Sequence, residues 1–405
     1  MTSNAEARRS MRSLVLASSV GTVIEWYDFF LYGSLAIFFA RLFYPPGDDV
    51  AATLISVATF ATGFAVRPLG SLLFGYMGDS VGRKKTFLVT LLIMGCSTAA
   101  IGLLPTFAQA GYAAPVILIS LRIIQGLALG GEYGGAATYV AEHSPPGERG
   151  KWASYIQAMA SAGFVLSLGI VLTLRLWLGE DAFGTWGWRA PFLISIVLVA
   201  VSLRIRLQLS ESPVFVEMHK QGKLSKSPVR DAFRIPGNAR RIILFLFGVA
   251  CAQAVTFYTA QFYALYYIQT FMKMPFLPAT LSVAVGAFLG VPFFVLFGAL
   301  SDRIGRKRLS LAGMAAAVLF YIPIFLIIRH ASTPETVSYP TISACVFVLV
   351  VIAAAVYCSY CVFILVSFPS IVRYTSFSPS YPLGHCISGG FLTLVFLLSA
   401  PLTVN

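Results

Sequence analysis

Long apolar stretches recur along the whole chain, each near or above the ~20 residues that cross a bilayer as a helix. They fall at 14–43, 50–76, 86–104, 113–141, 152–178, 187–207, 242–270, 278–300, 309–328, 340–366 and 382–402. The pattern predicts eleven helical spans and no sheet. One long polar interval, 208–241, separates the sixth span from the seventh. It reads as a cytoplasmic linker between an N-terminal six-helix half, 1–207, and a C-terminal half, 242–405. The first apolar stretch is long and contains acids, so it reads as a retained helix and not as a cleaved leader.

Composition agrees. Of the 405 residues, 58% are hydrophobic and 11% charged, and mean hydropathy is +0.81. A soluble domain carries about 25% charged residues, so soluble enzymes, disordered tails and secreted disulfide scaffolds are excluded. The six cysteines lie in or near apolar stretches, and Cys358-Ser-Tyr-Cys361 reads as small residues of a membrane helix. His143, His219, His330 and His385 sit at loops or span ends and carry no expected catalytic role. No metal-ligand spacing, phosphate-binding loop or nucleophile–base set is present, which argues against an enzyme or ATP-driven transport.

The net charge of +13 would suggest nucleic acid in a soluble protein. Here it is a topology signal. With the N-terminus in the cytoplasm, twenty-two lysines and arginines face that side, nine of them between 204 and 241. Only Arg41, Arg175, Lys273 and Arg329 face the other. That asymmetry obeys the positive-inside rule and leaves no reason to expect a nucleic-acid partner.

A repeat divides the chain. Gly75-Tyr-Met-Gly-Asp79-Ser-Val-Gly82-Arg83-Lys84-Lys85 returns as Gly298-Ala-Leu-Ser-Asp302-Arg-Ile-Gly305-Arg306-Lys307-Arg308, at an offset of 223. The offset maps the first-half spans onto those of the second and carries the sixth past residue 405. The expected architecture is therefore an all-α polytopic bundle of two six-helix halves with the twelfth helix missing, the repeat pattern of secondary transporters. In each loop the glycines permit tight turning and close helix approach. Asp79 and Asp302 lie near helix ends, where each can pair with a basic residue across the halves.

The loops resemble the signature loop of the major facilitator superfamily. Glu25-Trp-Tyr-Asp28-Phe, Arg67-Pro-Leu-Gly70, Arg122-Ile-Ile-Gln125-Gly126, Gly130-Gly-Glu132-Tyr-Gly-Gly, Trp188-Arg189-Ala-Pro191-Phe192 and Glu211-Ser-Pro213 narrow the resemblance to its metabolite:proton symporter family. That likeness implies a bundle with a central cavity, alternating access, and small organic acids or zwitterionic osmolytes as substrates in the bacterial inner membrane. The chain departs from the family where Val366-Ser-Phe-Pro369 lacks an acid before Phe-Pro.

Charges at membrane depth point the same way, because they are costly there and face a cavity or a partner. Glu25 and Asp28 share a helical face with Tyr32. Arg122 and Glu132 occupy the fourth span, antiparallel to the first. An Asp28–Arg122 pair that changes partners when a proton or anionic substrate arrives is one reading, and a static ion pair is the other. Arg67, before Pro68, either lines the cavity or holds a gate acid; snorkelling to the interface is the weaker reading, since the cytoplasmic end of the span is about ten residues away. Gly126, Gly130 and Gly134 form a stripe for close packing. No acid occurs in spans seven to eleven, so proton handling belongs to the first half. Gln253, Tyr258 and Gln261 face substrate or another helix.

The sequence therefore predicts a monomeric, multi-pass secondary transporter. It takes a proton and a small carboxylate or zwitterion, with the proton as coupling ion and no other cofactor. Antiporters of the superfamily that the chain resembles carry a Gly-Pro-rich kink in the fifth span; here Tyr155-Ile-Gln157-Ala-Met-Ala-Ser161-Ala-Gly163-Phe has no proline, so the resemblance implies symport over antiport. Glu25, Asp28, Arg122, Glu132 and Arg67 form the expected coupling core, with Tyr32, Gln125, Gln253, Tyr258 and Gln261 as substrate wall. Gly75, Asp79, Gly82, Arg83, Lys84, Gly298, Asp302, Gly305 and Arg306 form the cytoplasmic gate. A transport-inactive or receptor-like shortened homologue stays open as the alternative.

Overall fold

A computed structural model describes residues 4–47, 49–145, 147–207, 211, 213–221, 228–333, 337–368 and 373–386. Among them the structure is helical. The long helices are α1 (Asn4–Phe43), α2 (Ala51–Ser80), α3 (Arg83–Gly102), α4 (Ala113–His143), α5 (Arg149–Leu178), α6 (Ala190–Leu207), α7 (Asn238–Phe271), α8 (Phe276–Ile304), α9 (Arg306–Ala331) and α10 (Tyr339–Ser367). Ten segments among the described residues are long and apolar enough to cross a membrane. An eleventh helix, α11, runs Arg373–His385. Most of the expected span 382–402 lies outside the described residues, as does any twelfth helix.

Among the contacts between the halves, two are equivalent. Helix α5 packs on α8, and α2 packs on α11. The 223-residue repeat exchanges these pairs, since α2 corresponds to α8 and α5 to α11. Helix α1 is central, with 83% of its apolar window buried, whereas α9 has 22%. On α9, Leu311, Val318, Leu319, Ile322 and Leu326 are exposed apolar residues at helical spacing, the face that a lipid tail would cover.

Small residues set how closely the helices approach. A Cβ added at Gly126 would come within 2.1 Å of the Gly63 carbonyl oxygen, at Gly130 within 2.2 Å of that of Arg67, and at Gly70 within 2.0 Å of that of Leu127. The glycine stripe thus locks α4 against α2. The side chains of Glu142, Cys361 and Arg373 lie outside the described set.

Two boundaries differ from expectation. The interval 208–241 contains short helices, Pro213–Lys220 and Pro228–Arg234, and α7 begins at Asn238. Their polarity hides them from a search for apolar runs. Helix α2 continues past residue 76 to Ser80 and is interrupted at Val66. Pro68 cannot donate to the ladder one turn back, so the chain re-forms its bonds around it.

Candidate functional site

At the break in α2, Arg67 turns inward. Its guanidinium carbon lies 4.1 Å from the Phe29 ring centre, 4.1 Å from Phe64 and 5.6 Å from Trp26. Arg122 from α4 reaches the same Phe29 ring at 4.3 Å, with Tyr32 at 4.8 Å and Phe60 at 5.3 Å. Arg122 Nη1 donates to the Phe29 carbonyl at 3.3 Å and to Gln125 Oε1 at 2.6 Å, and Gln125 passes the chain on to Thr98 Oγ1 at 2.7 Å. Both arginines are fully buried. Neither forms an ion pair among the described residues, and Arg67 Nε and Nη2 and Arg122 Nε and Nη2 lack hydrogen-bond acceptors. Aromatic faces are the main company of these two charges, a partial compensation worth about 2 kcal/mol each when desolvated.

The far wall comes from the other half. The Tyr258 hydroxyl on α7 is buried beside Arg67, and the Gln253 amide finds no hydrogen-bond partner among the described residues. Helix α7 carries π-type turns at Leu246–Ala250, Thr259–Tyr263 and Tyr267–Phe271, a geometry often found at functional sites. Gln261 Nε2 donates to Ser161 Oγ on α5 at 2.9 Å, and Tyr266 donates to the Gly33 carbonyl at 2.7 Å. Phe30 and Phe262 meet at 4.9 Å. These contacts close the bundle around the arginines. Tyr32 is a framework residue here, its hydroxyl donating to the Ser56 carbonyl at 3.1 Å.

Two acids depart from the expected pairing. Asp28 does not meet Arg122. It is fully buried, faces Ser195 on α6, and no donor reaches either oxygen among the described residues. Glu25, one turn earlier, goes to Arg206, at 2.8 Å. Arg206 also holds Glu132 at 2.7 Å, and Thr90 donates to the second Glu132 oxygen at 2.6 Å. The shared face of Glu25 and Asp28 is real, but α6 covers it. By sequence Arg206 is one of the nine cytoplasmic charges between 204 and 241; its place on the inner side of the last turn of α6 leaves it 3% exposed. Gly21 signals that place, since a Cβ there would strike Arg206 Nε at 2.6 Å. His385, expected at a span end, is buried against Tyr381 at 3.9 Å and Tyr258 at 5.7 Å. It is the last residue of α11, and packing against Tyr258 of α7 buries it.

The repeated loops close one face of the bundle. Asp302 accepts from the backbone N–H of Gly150 and of Lys151, both at 2.9 Å, at the N-terminus of α5. Asp79 accepts from the N–H of Thr375 at 3.1 Å and from its hydroxyl at 2.6 Å, at the N-terminus of α11. Each aspartate caps the fifth helix of the opposite half, where unsatisfied N–H groups and the helix dipole favour an anion. Each also meets an arginine one turn on, Asp79–Arg83 at 3.8 Å and Asp302–Arg306 at 3.4 Å. For Asp302 the partner across the halves is thus backbone and not the expected basic side chain.

Motif glycines are required twice over. Gly82 and Gly305 adopt φ of +123° and +96° before α3 and α9, where a side chain would be strained. Gly298 packs flush on α5, with 2.2 Å between its ideal Cβ and Ser154 Oγ. Gly75 is buried in the equivalent helix. Glu211, in the linker, caps α3 by accepting from Arg83 N at 3.2 Å and Lys84 N at 3.1 Å.

A family model described as Major Facilitator Superfamily matches residues 18–378. The chain belongs to that superfamily. Relatives include the inner membrane metabolite transport protein YhjE of Escherichia coli, 39% identical over 77% of this chain and 71% of its own. The shikimate transporter of the same organism is 38% identical over 79% and 73%. Its alpha-ketoglutarate permease is 31% identical over 97% and 88%. The fold matches the E. coli xylose transporter XylE in a partially occluded inward-open conformation, with a TM-score of 0.71 and 20% identity over 96% of this chain and 91% of that one. The protein is a multi-pass membrane transporter and not an enzyme.

Proposed function

We propose that this superfamily member is a proton-coupled symporter of a small organic acid, or of a zwitterion bearing a carboxylate. It would act in the inner membrane with its N-terminus and repeated loops in the cytoplasm. The observation that carries this reading is the pair of buried guanidiniums, Arg67 and Arg122, sharing one aromatic ring with no carboxylate beside them among the described residues. A buried charge without its counter-charge is strongly destabilising. A substrate carboxylate supplies it, in the planar fork geometry that arginine favours. The names of the relatives support that class: shikimate and alpha-ketoglutarate both carry carboxylates.

Asp28 is the proton carrier in this scheme. An ionised carboxylate facing only Ser195 would be uncompensated, so the closed bundle suits a proton on Asp28. Opening to water lets that proton leave. Proton and anion together cross the closed state at little net charge, which couples their movement. The rocking unit is a half, and the aspartate caps on α5 and α11 are the contacts that must break on the loop face.

Purified protein in liposomes, acidic outside, tests the reading with radiolabelled shikimate, 2-oxoglutarate and proline. Accumulation that collapses with a protonophore is expected for at least one. Asp28→Asn should abolish accumulation while retaining substrate exchange, and Arg122→Gln should abolish both. Failure of all three substrates to accumulate in the wild type would favour a transport-inactive homologue.

A further inference from the structure

Away from the arginine pair, a second charged cluster is buried where α1, α3, α4 and α6 meet. Glu25 lies about 10 Å along α1 from Ser18, at 1.5 Å per residue. Arg206 Nη1 lies 2.8 Å from Glu25 Oε1, and Nη2 lies 2.7 Å from Glu132 Oε1. The guanidinium also donates to the Phe87 carbonyl at 3.2 Å and sits 5.3 Å from the Phe87 ring. Thr90 donates to Glu132 Oε2. The two carboxyl groups thus sit side by side on one guanidinium, Glu25 on Nη1 and Glu132 on Nη2. Glu25, Glu132 and Arg206 are 1%, 2% and 3% exposed.

Charge arithmetic decides what this cluster holds. Two carboxylates face one guanidinium. Helix α3 contributes only a hydroxyl, a carbonyl and a ring. Asp28, the next acid along α1, faces Ser195. Two ionised acids would leave one negative charge uncompensated inside the membrane, and two carboxylates side by side repel. A proton between them removes both penalties: one carboxyl becomes a donor, its neighbour stays the acceptor, and the remaining negative charge matches Arg206. Glu132 already accepts from Thr90 and Arg206. Glu25 Oε2 has no donor among the described residues, so Glu25 is the natural seat of the O–H.

We propose that Glu25, Glu132 and Arg206 form a separate proton-binding site, in which two carboxyl groups hold one proton between them against a single guanidinium. Release breaks one carboxyl O–H bond, passes the proton to water and leaves the cluster with one net negative charge. The proton belongs to the pair and not to either residue alone. The site requires no substrate, so it stands or falls apart from the symport reading.

Infrared difference spectroscopy on the reconstituted protein at neutral pH reads the protonation directly. Wild type minus Glu25→Gln should show loss of one neutral carboxylic-acid C=O band that shifts in D2O, with no loss of carboxylate bands. Wild type minus Glu132→Gln should look the same, because either variant leaves one acid for one arginine. Arg206→Met should instead gain one neutral carboxyl, doubling the cluster's signal. Loss of a carboxylate band in place of the neutral band, in either glutamine variant, would show that the cluster is fully ionised and overturn the proposal. The two glutamine variants keep size and hydrogen-bonding capacity, so the outcome does not depend on Arg206→Met folding.

Discussion

Removing the Asp302 carboxylate tests whether the caps hold the loop face shut. Asp302→Ala deletes two backbone hydrogen bonds of 2.9 Å, to Gly150 and Lys151, that cross from one half to the other. Hydrogen bonds to a charged group contribute about 1.5–3 kcal/mol each, and loss of a helix N-cap costs about 0.5–2 kcal/mol. The site is partly exposed, so solvent screening brings the pair to about 2–3 kcal/mol. These bonds exist only while the face is closed. At 1.4 kcal/mol per tenfold, the open-to-closed ratio should therefore rise about 30- to 140-fold. Spin labels at Val81 and Ile304, exposed residues of opposite halves, report the change by pulsed electron resonance. A longer-distance population should grow in Asp302→Ala and fall between wild type and alanine in Asp302→Asn, which keeps one acceptor. An unchanged distance distribution in Asp302→Ala, with the protein folded, would refute the assignment of the cap as a closing contact.

Other consequences are equally direct. Tyr266→Phe removes the 2.7 Å bond to the Gly33 carbonyl and should favour opening on the other face by roughly 1 kcal/mol, about fivefold; pulsed electron resonance between spin labels at Tyr112 and Val337, exposed residues of opposite halves, measures it. Gly70→Ala forces a methyl to 2.0 Å from a backbone oxygen and should destabilise by about 1–3 kcal/mol or more. Gly169→Ala meets nothing within 4 Å and should raise thermal stability slightly; melting in detergent distinguishes the two. Arg67→Lys keeps the charge but loses the planar stack on Phe29 and Phe64, and carboxylate uptake should fall at least tenfold.

Much of this was legible in the residues because membranes simplify the problem. Backbone groups must be satisfied inside each span, so apolar runs translate into helices almost one for one. The glycine stripe of α4 and the loop repeat announce close packing and internal symmetry for the same reason: only glycine permits the approach at Gly126 and the φ at Gly82 and Gly305. Arg67 and Arg122 stand out because buried charge is rare. His385 and Arg206 did not, since each lies near a span end, where composition alone places a residue in water.

What the sequence determined by itself was which faces carry charge and which segments are apolar helices long enough to cross a membrane, because helical periodicity and desolvation are local. Partner choice was left to tertiary structure. Glu25 and Asp28 share a face, yet Glu25 reaches Arg206 from α6 and Asp28 faces Ser195, while Arg122 turns to Phe29 and Gln125. Asp302 finds its N–H partners 151 and 152 residues away. Periodicity fixes the direction in which a side chain leaves its helix, but the neighbour standing there is set by how the helices of a half pack and how the two halves close.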